Sequence, residues 1–291
     1  MAQWQGQVTP RHEYRLVSKL RLALFGSPIS HSPSPAIHGS FATQLGIDVD
    51  YRLIEASPAV FPEKLDRFRW GGGKGCNITL PLKHQASRMA DARTERVEVA
   101  TAANTLWWDE KGQLHADNTD GRGLVRDLVS NLEIEIAGKK LLILGAGGAA
   151  AGILGALLAC KPATLTVFNR TLERAQALAT QHSRLGKVGY VTAAALEHEG
   201  TYDLVIDATA TGIQGQTPAI PAGLLADSGA CYSLSYGKAS QPLGKWCEKL
   251  GTSFYSGWGM LVEQAALSFE IWTGKAPETS EVLENLRHLS D

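Results

Sequence analysis

Leu141-Leu142-Ile143-Leu144-Gly145-Ala146-Gly147-Gly148-Ala149-Ala150 sets an apolar run directly before a cluster of glycines and alanines. The run Lys140–Leu144 reads as a buried strand, and Ala149–Cys160 as the helix that follows it. Gly145 and Gly147 take the first two places of a dinucleotide fingerprint, and Ala150 the third. The residue types follow from the chemistry. A tight turn excludes a Cβ, the backbone must approach a pyrophosphate, and a helix N-terminus supplies N–H groups and a positive dipole end. Gly145, Ala146, Gly147, Gly148 and Ala149 are therefore the candidate phosphate cradle. The plainer alternative is a tight turn with close helix packing.

The next strand, Thr164–Phe168, tests that reading. An NAD site carries an acid about 20 residues beyond the glycines, where it grips the ribose 2′-hydroxyl. Here the strand runs into Asn169-Arg170-Thr171, with Arg174 beyond and no carboxylate before Glu173. Two guanidiniums around a helix start that Thr171 would cap suit a 2′-phosphate. The expected cofactor is NADP(H), the alternative being two solvated surface arginines.

Outward from this point the second half alternates. The helix Thr171–Gln181 and the strands Val188–Val191, Leu204–Asp207 and Ala230–Leu234 follow. Such βαβ alternation predicts a doubly wound parallel sheet. Met260–Trp272 and Ser280–Leu289 have helical spacing. Before the glycine turn, the predicted elements are strand Arg21–Phe25, helix Ser34–Leu45, strand Tyr51–Ile54, helix Pro58–Phe68 and strand Gly75–Leu80. A helix starts at Pro81. Ala103–Trp108 and Gln113–Ala116 form a hairpin, and a further helix starts near Asp120. Residues 1–20 read as a polar arm.

Composition narrows the function. With 291 residues, 28 Lys+Arg, 29 Asp+Glu and a net charge of −1, the chain has no electrostatic footprint for nucleic acid. The most apolar stretch, 141–160, holds five glycines and is no membrane span. The N-terminus lacks the apolar core of a signal peptide. The four cysteines show no CxxC spacing and the eight histidines no HExxH, so no metal is expected. The expectation is a cytoplasmic α/β enzyme with a small-molecule substrate, monomeric or homodimeric.

Three polar clusters precede the glycine turn. Ser32 and Ser34 stand at a helix start, where hydroxyls and free N–H groups hold a carboxylate, although either serine could simply cap the helix. Asn77 and Thr79 share one face of a strand by alternation, and Pro81 starts a helix that returns Lys83 to the strand's carboxyl end. Asn104 lies near the segment Asp117-Asn118-Thr119-Asp120. Asp120 could be a helix cap only. A lysine beside an aspartate can polarise a hydroxyl and exchange its proton, so Lys83 and Asp120 are the candidate catalytic pair.

Together these motifs resemble the shikimate dehydrogenase family. The resemblance runs in order through Gly26-x-Pro28-Ile29-x-His31-Ser32-x-Ser34-Pro35-x-Ile37-His38, Asn77-x-Thr79-x-Pro81-x-Lys83, Asn104-Thr105-Leu106 and Asp117-Asn118-Thr119-Asp120-Gly121. It continues through Gly145–Ala149, Asn169-Arg170-Thr171-x-x-Arg174-Ala175, Asp207-Ala208-Thr209-x-x-Gly212 and Gly259-Met260-Leu261-Val262-x-Gln264-Ala265. It implies a substrate domain at 1–120, a Rossmann-type NADP domain at 121–256, and C-terminal helices at 257–291 that return to the first. Lys83 and Asp120 would be catalytic. Ser32 and Ser34 would bind the substrate carboxylate; Asn77, Thr79, Asn104 and Gln264 its hydroxyls; Tyr232 would stand nearby. Asn169, Arg170, Thr171, Arg174, Thr209, Gly257 and Met260 would complete the NADP cleft. The sequence departs from the family pattern at Thr101, Asp207, Ser233, Ser256 and Trp258. The implied reaction is reversible hydride transfer between NADPH and 3-dehydroshikimate. The alternatives are a paralogue that uses quinate or an amino analogue, and a non-catalytic NADP-binding sensor.

Overall fold

The fold is that of a computed structural model, which describes residues 19–218 and 220–288. The expected arm, apart from Lys19 and Leu20, and the expected end of the last helix at Leu289 lie outside the described residues.

The first half builds a mixed sheet. β1 (Leu20–Gly26), α1 (Ser34–Leu45) and β2 (Val49–Glu55) form a parallel unit, and α2 (Phe61–Trp70) leads to β3 (Gly73–Ile78) on the other side of β1. α3 (Lys83–Met89), β4 (Ala92–Arg93) and α4 (Glu95–Ala100) come next, then the antiparallel hairpin of β5 (Thr105–Trp108) and β6 (Leu114–Asp117). The strand order is β2-β1-β3-β5-β6-β4. α5 (Asp120–Arg126) runs on into a π-helical turn, Asp127–Asn131.

The second half builds the doubly wound sheet. Its elements are β7 (Lys140–Leu144), α6 (Gly148–Ala159), β8 (Thr164–Phe168), α7 (Leu172–Gln181), β9 (Gly189–Val191), α8 (Ala193–Leu196), β10 (Tyr202–Asp207), β11 (Leu225–Ser233), α9 (Gln241–Leu250) and β12 (Ser253–Tyr255). All pairings are parallel, in the order β12-β11-β10-β7-β8-β9. β7 is an unbroken apolar run because both its faces are covered: Leu141, Leu142 and Ile143 are fully buried. The chain changes direction between β7 and β10, which opens a crevice at their carboxyl ends.

α10 (Trp258–Thr273) and α11 (Ser280–His288) fold back on the first half. Val262, Ala265, Ala266, Phe269, Val282 and Leu283 form one apolar cluster with Ile37 and Phe41 of α1. Trp272 donates to the Leu106 carbonyl, 3.1 Å away. No helix among the described residues is long and apolar enough to cross a membrane.

The expected elements are present, with local shifts. The second helix begins at Phe61 instead of Pro58, because Pro62 takes the first-turn position that fixed φ suits. The helix expected from Pro81 begins at Lys83, since Leu82 N–H closes a turn on Thr79 O at 2.9 Å. In the hairpin, Asp109 accepts from Gln113 N–H through its side chain, and Gly112 takes φ +81°. β4, α4, α9 and β12 carry no signal strong enough to be read from sequence.

Candidate active site

Lys83 opens α3 and Asp120 opens α5. Their ammonium and carboxylate form a close ion pair on Asp120 Oδ2, with side chains only 13% and 6% exposed. Thr119, not Asp120, occupies the N-cap of α5, which leaves the Asp120 side chain free for this pair. Asp120 Oδ1 accepts from Asn104 Nδ2 at 2.8 Å, and Asn118 Oδ1 accepts the Asp120 N–H at 3.1 Å. Asn104 is the hub of the cluster. Its Nδ2 also reaches Thr119 Oγ1 (2.7 Å) and Gln264 Oε1 (3.1 Å), while its Oδ1 accepts from Thr119 N–H and the Thr105 hydroxyl. The segment Thr119-Asp120, Thr105 and α10 thus meet at one amide.

A second polar corner adjoins it. Ser32 Oγ donates to Ser34 Oγ at 3.0 Å and accepts the Ser34 N–H at 3.3 Å. Pro33 is the N-cap of α1, and neither serine caps through that residue. Tyr51 bridges this corner to Asn77: its phenol donates to Asn77 Oδ1 at 2.8 Å and lies beside Ser34. Asn77 is saturated by the protein itself. Its Oδ1 also accepts from His38 Nε2 (3.1 Å), and its Nδ2 reaches Asn104 O (3.2 Å) and Ser268 Oγ (3.0 Å). Asn77 therefore frames the corner more than it faces into it. Thr79 lies one residue beyond β3, half-buried, with its methyl against Gly26.

One expectation changes here. Tyr232 does not join the cluster. It is fully buried, its phenol donates to Asp127 Oδ2 at 2.6 Å, and it accepts the Met260 N–H at 3.3 Å. Tyr236, four residues on and outside the strand, lies instead beside Ser32. Burial pushes the Tyr236 phenol up and the Ser32 contact opposes this. Its ring packs on Trp258 at 4.6 Å. The signal that could have found it is position, because ligands collect beyond the carboxyl ends of strands, not inside them. Gly257, expected in the cofactor cleft, is the N-cap of α10, with its backbone close against Leu234 and bonded to Ser235 O at 2.9 Å.

The glycine turn leads off β7. Gly145 takes φ +102°, and a Cβ there would stand 3.1 Å from the Ala208 carbonyl oxygen. Gly147 has nothing within 4 Å of the corresponding point, so a ligand backbone could approach it. Thr209 stands beside Gly145, and its N–H and hydroxyl both donate to Asp207 Oδ1, at 3.0 and 2.6 Å. Burial pushes the Asp207 carboxyl up, against those two bonds. Asn169 Nδ2 donates to Thr171 O at 2.8 Å. Thr171 is the N-cap of α7, although its hydroxyl makes no cap bond. Arg170 and Arg174 are exposed and take no ion-pair partner among the described residues.

The two halves touch at the pair. Lys83 Cβ and His84 Nε2 stand 3.8 and 3.4 Å from the point where a Cβ of Gly148 would lie, and the Asp120 carboxylate faces Gly152 one turn further along α6. Ammonium, carboxylate and glycine turn share one crevice.

Fold and site define a class, a two-sheet dinucleotide-binding α/β oxidoreductase. Residues 24–106 match the shikimate dehydrogenase substrate binding domain, residues 127–221 the shikimate / quinate 5-dehydrogenase model, and residues 257–287 the shikimate 5'-dehydrogenase C-terminal domain. The NADP(+) shikimate dehydrogenase of Alcanivorax borkumensis is 47% identical over 91% of this chain and 95% of its own. An Ael1 enzyme from Pseudomonas putida superposes with a TM-score of 0.85 at 38% identity, over 92% of this chain and 98% of that one. The Thermus thermophilus shikimate 5-dehydrogenase, solved with NADP(H) and shikimate, gives 0.80 at 30% identity over 92% and 99%. The chain belongs to the shikimate dehydrogenase family.

Proposed function

We propose that this chain is an NADP-dependent shikimate dehydrogenase, interconverting 3-dehydroshikimate and shikimate. The observation that carries this is the buried Lys83–Asp120 pair, set against the first turns of α6. The cradle fits the cofactor: Gly147 leaves open space, Gly145 holds the positive-φ turn, and Arg170 and Arg174 stand exposed where a 2′-phosphate would lie. Bound NADPH would supply the hydride to the ring C3. The residues of the chain supply the rest. Lys83 Nζ holds the C3 oxygen, gives it a proton on reduction and takes one back on oxidation. Asp120 keeps the ammonium oriented towards that oxygen. Asn104, Gln264 and Thr79 position the ring hydroxyls, with Asn77 framing them, and Ser32, Ser34 and Tyr236 hold the carboxylate. Such positioned proton transfer contributes about 10²–10⁴ in rate. Residues 1–120 would form the substrate unit with 257–291 packed on it, and 121–256 the cofactor unit. We place the enzyme in the cytoplasm as a monomer or homodimer.

The experiment follows nicotinamide absorbance when purified protein meets shikimate and NADP+. Rapid reduction supports the assignment. Reduction with quinate but not shikimate would mark a quinate-using paralogue. Binding of NADP+ with no turnover of any ring hydroxy acid would mark a sensor.

A further inference from the structure

Tyr232 and Asp127 make a buried contact that the reaction scheme leaves unused. Asp127 is fully buried, and among the described residues no lysine or arginine pairs with it. Its oxygens accept instead from the Tyr232 phenol (2.6 Å) and Asn131 Nδ2 (3.0 Å). A buried carboxylate satisfied only by neutral donors costs more than an apolar replacement of the same volume would. Stability alone gives it little reason to be there. The surrounding backbone is shaped to admit it: a Cβ on Gly259 would collide with the carboxylate. Asp127 also begins the π-helical turn that continues α5, and such turns commonly mark functional positions.

The contact closes a ring through three elements. Asp120 and Asp127 ride on one continuous helical segment. From Asp127 the ring passes to Tyr232 at the end of β11, then to the Met260 N–H at the start of α10. One turn along α10, Gln264 bonds Asn104, and Asn104 bonds Asp120. We propose that the Tyr232–Asp127 contact is a positioning latch, which fixes Met260 and the start of α10 relative to the Lys83–Asp120 pair, and so sets the approach of the nicotinamide face to the substrate carbon. The assignment rests on the proposed dehydrogenase reaction. Neither latch residue touches substrate; both act through Met260 and Asp120. Misplacement of reacting groups by about 1 Å can cost on the order of 10² in rate, so a small slip of α10 is enough to matter.

The test uses Tyr232→Phe, Asp127→Asn and the double variant in the full-length protein. For Tyr232→Phe the latch predicts a fall in kcat of about tenfold or more, a shikimate KM within about threefold of wild type, and a larger deuterium isotope effect from NADPH labelled at the transferring position. The double variant is no slower than the slower single one, because the two groups act as one unit. A second readout needs neither cofactor nor turnover. The chain holds 3 methionines, so the labelled Met260 methyl is readily assigned by NMR. In the cofactor-free protein its signal is single and sharp in wild type, and shifts or splits in Tyr232→Phe. Lower thermal stability with unchanged kcat, isotope effect and Met260 signal would overturn the latch and leave a structural contact. Should Tyr232→Phe fail to fold, Asp127→Asn is read by the same criteria. A wild type without turnover refutes the dehydrogenase assignment, while the methyl signal still decides whether the contact positions Met260.

Discussion

A Cβ built on Gly152 would stand 3.2 Å from Asp120 Oδ2 and 2.9 Å from Asn118 Nδ2. The helix that begins at the glycine turn therefore lies in backbone contact with the Asp120 carboxylate. Asn118 cannot yield freely, since it is buried and its Nδ2 already donates to Ala102 O at 2.8 Å. A methyl at this point must displace either that amide or Asp120. Gly152→Ala is expected to lower kcat/KM about tenfold by tilting Asp120 away from Lys83. Overpacking costs ~1–3 kcal/mol and the better helix propensity of alanine returns about 1. Stability should therefore change less than activity. Steady-state kinetics and a urea midpoint on one preparation separate the two, and unchanged kcat/KM would mean that Asp120 has slack.

In the proposed scheme Arg170 and Arg174 carry the cofactor preference. Charge-assisted bonds contribute ~1.5–3 kcal/mol each, and 1.4 kcal/mol is a factor of ten. Arg170→Gln and Arg174→Gln are each expected to weaken NADP+ binding roughly tenfold and to leave NAD+ binding unchanged. Fluorescence or calorimetric titration of both cofactors checks this; equal losses for the two would remove the 2′-phosphate from the account.

The cofactor half was legible because its signals are local. A buried parallel strand, glycines at a turn and arginines after the second strand each follow from residue type and short spacing. The hub at Asn104 was not legible in the same way, because Gln264 lies 160 residues away and reaches it only when α10 folds back. The tyrosine was misplaced for a related reason. Tyr232 and Tyr236 are both aromatic residues near one strand end, and only the fold shows that the first turns inward to Asp127 and the second outward to Ser32. Asn77 read as a substrate ligand from its strand face, but its bonds to His38, Tyr51 and Ser268 come from elements far apart in sequence.

Tyr236 yields a prediction of its own. Tyr236→Phe removes one hydrogen-bonding group from the Ser32 corner and keeps the ring on Trp258. A net bond is worth about 1 kcal/mol, so KM for shikimate should rise roughly fivefold with kcat little changed. A fall in kcat with constant KM would place this phenol nearer the reacting carbon than the carboxylate.

His38 sets an acid limit on folding. Burial lowers its pKa from 6.5 to about 3, against the bond to Asn77. The folded protein keeps the ring neutral while the unfolded chain takes up a proton below about 6.5. The stability it contributes is whole above that pH and is lost as pH falls from 6.5 towards 3, at up to ~1.4 kcal/mol per pH unit. Asp117 acts in a lower window. Burial raises its carboxyl, but the bonds and charge of Arg96, with the bonds from Thr94 and Asn118 N–H, together outweigh this and hold it below 3.8, so its contribution is lost only as pH falls through and below that value. Urea unfolding at pH 7, 6, 5 and 4 should show the decline, and His38→Gln should flatten it by about one proton. An equal slope in the variant would assign the decline to other groups.

Lys83→Met removes the proposed proton donor and keeps the length of the side chain. With shikimate and NADP+ the account predicts a fall in kcat of about 10²–10⁴, with NADP+ affinity and folding close to wild type. A Lys83→Met protein that reduces NADP+ at the wild-type rate would contradict it.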